Sequence, residues 1–123
     1  VREKVLLIVK VATVRVLVLK ALNQRGGVEI LATRIPDLGI EVLRRTKCDL
    51  AIIHSEISEP GMSWKTLVET FEKIQLDLPI LLLLENSHDT DFSSVNRLVT
   101  LPTDEDCLRA TIEELLNPPP VET

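Results

Sequence analysis

The sequence has no tyrosine, one tryptophan and two phenylalanines, so aromatic residues make up only 2% of its 123 positions. That scarcity removes the aromatic platforms on which single-stranded nucleic acid stacks, and no basic run is interleaved with aromatics, so a nucleic-acid partner is not expected. There are two cysteines, Cys48 and Cys107. They form no C-x-x-C pair and have no histidine at ligand spacing, which argues against a zinc or redox motif and predicts a reduced, cytoplasmic setting. No apolar run is long enough to cross a bilayer, and no signal-peptide pattern opens the chain. Gly-rich phosphate loops, Ser/His/Asp orders and H-E-x-x-H are missing as well. The sequence therefore predicts no enzyme, no catalytic residue, no cofactor and no metal.

What is present is the composition of an ordinary globular domain, 45% hydrophobic and 27% charged, at a length that suits one core without staples. The net charge of -5 hides an imbalance: ten basic against five acidic residues up to position 50, and four against fourteen beyond it. The two ends of the domain should differ in potential. A solvated surface of uneven charge accounts for this more simply than a docking field does. Pro118, Pro119 and Pro120 read as a stiff linker, which divides the chain into a domain over 1–117 and a proline-rich tail over 118–123.

Lys4 to Val9 and Leu78 to Leu84 are short, nearly continuous apolar runs, the pattern of strands buried on both faces of a parallel sheet. Val28 to Thr33, Asp49 to His54 and Arg97 to Leu101 supply three more strands. Between them Val14, Leu17, Val18, Ala21 and Leu22 mark a helix stopped at Gly26-Gly27, and Pro36 to Thr46 a second helix with Ile40 and Leu43 inward. Ser63 caps a third, with Trp64, Leu67, Val68, Phe71 and Ile74 on its apolar side. Thr103 is the expected cap of a last helix that buries Leu108, Ile112, Leu115 and Leu116. This alternation predicts an α/β fold, a doubly wound five-stranded parallel sheet of order 2-1-3-4-5. Glu85 to Asn96 leaves room for no more than a turn or two of helix between the last two strands.

With that layout, KVLLIV followed by VATVRVLVLKALNQRGGVEI, then RRTKCDLAIIH, PGMSW and TLP, resembles the response-regulator receiver (CheY-like) family of two-component signal transduction and phosphorelays, from about Lys4 to Leu116. The resemblance implies a phosphorylation pocket at the carboxyl ends of the strands, and the chain departs from it at every position that carries the chemistry. Where the family has two adjacent acidic residues that hold magnesium, this sequence has Lys10 and Val11. His54 stands in place of the phosphoacceptor aspartate, Leu84 in place of the hydroxyl residue, and Leu101, before Pro102, in place of the lysine. Leu98 replaces the aromatic switch. A shifted register would bring in Glu56 or Ser87, but not all five groups, and the turn from His54 to Pro60 reads about two residues longer than is usual.

The resemblance thus implies a degenerate pseudo-receiver, a regulatory or protein-interaction module in a larger signalling protein. Its partners would be other domains of the same parent chain or complex, or a second copy in a homodimer, with no membrane or nucleic acid involved. A small-ligand sensor using the crevice at the strand ends, or a phosphoacceptor through His54, are the alternatives. A crevice filled by Leu84, Leu98 and Leu101 would favour the first reading, and an open pocket beside His54 and Lys10 the sensor. His54 reads most simply as a strand-end histidine hydrogen-bonded to backbone or a carboxylate. Lys10 either points to solvent or pairs with Glu56 or Glu85. His88, Asp89 and Asp91 lack close metal spacing and read as solvated surface. The resemblance further implies a cis Leu101-Pro102 bond. Partners are expected on a basic edge of Arg34, Arg44, Arg45 and Lys47, or on the acidic last helix, rather than on the short Glu85 to Asn96 connection.

Overall fold

Strands form where Val, Ile and Leu run together, and helices where they recur every three or four residues. The computed structural model describes residues 3–57, 63–85 and 95–116. In chain order it contains β1 (Glu3–Ile8), α1 (Ala12–Arg25), β2 (Val28–Thr33), α2 (Pro36–Arg45), β3 (Leu50–His54), α3 (Trp64–Ile74), β4 (Ile80–Leu84), β5 (Arg97–Thr100) and α4 (Glu105–Leu116). All strand pairings are parallel and the sheet order is β2-β1-β3-β4-β5, as the alternation predicts. Strand boundaries move by a residue or two. β4 begins at Ile80 rather than Leu78, and β5 ends at Thr100, which leaves Leu101 in the turn beyond it. Most of the short connection between β4 and β5, the turn after β3 and the proline-rich tail lie outside the described residues.

The three central strands are buried on both faces, and alternate residues feed two separate cores. Leu6, Ile8, Ala51, Ile53, Ile80 and Leu82 face α2 and α3, meeting Ile40, Leu43, Leu67, Val68 and Phe71. Val5, Leu7, Val9, Leu50, Ile52, Leu81 and Leu83 face α1 and α4, meeting Val14, Val18, Ala21, Leu22, Leu108 and Ile112. α2 lies close on its core because its fourth residue is Gly39, whose missing side chain makes room for Ile8 and Phe71. The chain leaves α1 through Gly26 and Gly27, at φ 73° and 71°, a left-handed conformation open to glycine. Ser63 caps α3 as expected, its hydroxyl accepting from the Thr66 amide at 3.3 Å.

Two details of the last helix differ from expectation. Its cap is Asp104, not Thr103: the Asp104 carboxylate accepts from the Cys107 amide at 2.7 Å, which holds that carboxyl below its ordinary pKa. Leu115 and Leu116 are half-buried at the rim instead of lying in the core. The Leu101-Pro102 bond is cis, as the resemblance implies.

Arg25, at the end of α1, ties three elements together. Its guanidinium, 11% exposed, reaches Glu3 of β1 at 2.7 Å and Glu113 of α4 at 2.5 Å. Burial opposes its charge, but the two carboxylates outweigh burial and hold its pKa above the ordinary value. Both carboxylates are partly solvated, so Arg25→Met should destabilise the domain by only about 1 kcal/mol. Urea denaturation at low and high salt checks this, since the loss should shrink as salt screens the wild-type pairs.

Candidate functional site

A doubly wound sheet presents its functional groups at the carboxyl ends of its strands, where loops replace helices. The parallel register brings Lys10, Val11, His54, Leu84 and Leu101 to that end. Lys10 and Val11 follow β1; Lys10 is exposed, and Val11, 37% exposed, is the N-cap of α1 without making a side-chain hydrogen bond. His54 closes β3 opposite Leu83 of β4. Leu84 closes β4, and its carbonyl accepts from the Leu101 amide at 2.8 Å.

The structure does not bring the leucines into one crevice. Leu84 and Leu98 pack against the core under α2 and α3, whereas Leu101 packs on the opposite face against α1 and α4. The condition that would have favoured a filled crevice is therefore not met: side chains alternate across a sheet, and Leu101, two residues after Val99, shares its face rather than that of Leu98. Nor do the basic residues form a single edge. Arg34 precedes α2 and borders Arg15 and Thr33 at the carboxyl end. Arg44, Arg45 and Lys47 follow ten helical residues later, about 15 Å away at the other end of the sheet.

His54 is the most unusual group of the site. Among the described residues it is the one charged or polar residue in the buried core, with 0% exposure. Nε2 lies 3.3 Å from Oε1 of Glu85, but the approach is off line, and neither ring nitrogen completes a hydrogen bond. The expected hydrogen bond to backbone or carboxylate is thus only half realised. Burial lowers the imidazole pKa below 6.5, and the nearby Glu85 and Glu56 carboxylates offset only part of that effect. The ring is neutral at neutral pH.

Ser55 positions Glu85, and sequence reasoning missed it. Its hydroxyl donates to the Glu85 carbonyl at 3.1 Å and accepts from the Glu85 amide at 2.9 Å, while the Ser55 amide donates to the Leu83 carbonyl at 2.9 Å. A hydroxyl residue directly after a strand-end histidine was the available signal. Beside Glu85 opens a shallow cleft of about 210 Å³, lined further by Thr13, Val14, Leu17, Leu101, Pro102 and Thr103. Glu56 is half-buried after β3. Ser87, His88, Asp89 and Asp91 lie outside the described residues, and among the described residues no group of three His, Cys, Asp or Glu could hold a metal ion.

No protein-family model matches the sequence, and no curated protein matches it either. Solved structures do. A CheY-like response-regulator receiver domain from Methanospirillum hungatei JF-1 superposes with a TM-score of 0.79 over 95% of each chain at 14% identity. The N-terminal domain of a response regulator/sensory box/GGDEF three-domain protein from Carboxydothermus hydrogenoformans superposes at 0.79 over 93% of this chain and 94% of that one, at 18% identity. An orphan response regulator of H. pylori superposes at 0.77, over 94% and 97%, at 20% identity. At such identities the likeness is one of fold: the chain has the receiver fold.

Proposed function

We propose that this receiver fold, stripped of its phosphorylation chemistry, is a regulatory and protein-interaction module of a larger signalling protein. One observation carries the reading. Where phosphoryl transfer needs a carboxylate nucleophile, a divalent cation and a lysine, the strand ends present a buried imidazole, Lys10 with Val11, and Leu101. His54 gives no alternative acceptor, because its ring is fully buried and its Nε2 faces a carboxylate that would repel an incoming phosphoryl group. The tandem arrangement of the Carboxydothermus protein supports neighbouring domains as partners. On this chain the docking surface is the notch between the ends of α2 and α3, where Arg44, Arg45 and Lys47 rim a floor of Leu43 and Ile74.

Acetyl phosphate or beryllofluoride with magnesium should leave the mass and the amide spectrum of the domain unchanged. Intact-mass spectrometry without acid checks this, since phosphohistidine is acid-labile. A stoichiometric gain lost in His54→Leu would overturn the reading.

A second reading, a small-ligand sensor, is favoured by the cleft beside Glu85, which Leu101 helps to line and which opens next to Glu85 rather than beside His54 and Lys10.

A further inference from the structure

We propose that the cleft beside Glu85 binds a small aliphatic compound carrying a primary ammonium group, and that His54 competes with the ligand for the Glu85 carboxylate. The proposal deepens the small-ligand reading and is independent of the loss of phosphorylation.

The cleft offers a ligand two things. Val14, Leu17 and Leu101 form apolar walls, and Glu85 supplies one fixed negative charge, with the hydroxyl residues Thr13 and Thr103 on the rim. Sites of this kind take an apolar body and orient it by a few polar groups. Among the described residues the carboxylate of Glu85 has one basic group in ion-pair range, the His54 ring. That ring is a poor counter-charge at neutral pH, because it is wholly buried and its approach is off line. The carboxylate therefore stands beside apolar walls with a neutral imidazole against it, and an ammonium group is its chemical complement. A volume of about 210 Å³ admits only a short aliphatic chain. The N-terminus of α1 borders the cleft and opposes bare cations, so binding needs the apolar body as well as the charge.

The geometry also sets the pH dependence. Among the described residues the charged groups at this end of the sheet are Glu85 after β4, Glu56 after β3, Lys10 after β1, Arg34 after β2, Arg15 on α1 and Asp104 at the cap of α4; α1 turns apolar Val14 and Val18 inward. Of these, Glu85 is the carboxylate within 3.3 Å of the His54 ring. Once protonated, the imidazole becomes a charged donor that claims Glu85, and the ligand loses its partner. Binding of the amine should therefore weaken as the pH falls.

The test is an amide NMR titration of the whole chain with 3-methylbutylamine, with 3-methylbutanol and ammonium chloride as controls. At about pH 7.5 the amine should shift the amides of Thr13, Leu17, Glu85, Leu101 and Thr103 saturably, and bind roughly tenfold more tightly than the alcohol. Ammonium chloride should shift none of them. Glu85→Gln should reduce the amine to the level of the alcohol. Lowering the pH to about 5 should weaken amine binding roughly fivefold in the wild type and leave it unchanged in His54→Leu. Acetyl-lysine methylamide distinguishes the source of the ammonium: tighter binding than the free amine identifies a partner's lysine side chain, and weaker binding identifies a small metabolite. Equal binding of amine and alcohol would overturn the ammonium assignment while the sensor reading stands. An absence of saturable shifts with either compound would overturn both.

Discussion

His54→Leu should stabilise the domain by about 1–3 kcal/mol at neutral pH, the usual cost of a buried polar group left unsatisfied. The imidazole is fully buried, neither of its nitrogens completes a hydrogen bond, and leucine is of similar size and suits the neighbouring Leu83 and Ile52. The effect should grow in acid. The folded-state pKa lies below the unfolded value of 6.5, so above that value the ring is neutral in both states and the wild-type stability is level. As the pH falls below it, the unfolded chain takes up a proton that the folded chain resists, and stability is lost until the pH reaches the folded pKa. The slope is at most about 1.4 kcal/mol per pH unit for one proton. Urea denaturation of both proteins between about pH 8 and pH 5 reads this directly. Parallel curves, or a less stable variant, would show that the ring has found partners the static geometry lacks.

Gly39→Val should be the most damaging single substitution on the opposite face, at about 3 kcal/mol. A Cβ at this position would collide with Cδ1 of Ile8, while standing 3.2 Å from its Cγ1 and 3.7 Å from Cζ of Phe71. Ile8 and Phe71 both have 0% exposure, so the δ-methyl has nowhere to go without disturbing the core. Alanine puts two effects in competition. It should gain about 1 kcal/mol of helix propensity and lose more than that to overpacking. The double variant Gly39→Ala with Ile8→Val removes the offending methyl and should recover most of the loss, a coupling that thermal melts of the four proteins would show. If Gly39→Ala alone proves stabilising, α2 rides less closely on the sheet than the structure has it.

The fold was legible because the informative segments agree at several levels. β3 is bounded by a helix end and a turn, and every residue from Leu50 to His54 is buried, which only a central parallel strand explains. The last helix was legible apart from the depth of Leu115 and Leu116 and from its cap, where Thr103 and Asp104 are equally suitable residue types one position apart. The carboxylate that reaches the Cys107 amide decides between them.

The site was only partly legible. The positions of Lys10, Val11, His54, Leu84 and Leu101 at one end of the sheet follow from strand order, but the face each one occupies depends on counting single residues across turns. Leu84 stands opposite Thr100, so Leu101, one residue further on, falls on the other face. The meeting of His54 with Glu85 depends on the Ser55 hydroxyl and on the β3–β4 register, neither of which periodicity reports.

The bonds between Ser55 and the Glu85 main chain also bear on which residues position 54 can take. An aspartate there would stand beside the Glu85 carboxylate, two like charges in a buried place, and neither Lys10 nor Val11 is a carboxylate that could hold a neutralising ion. Positions 54 and 85 are thus tied to one another, and a carboxylate at the end of β3 is a change this chain can absorb only together with a second one.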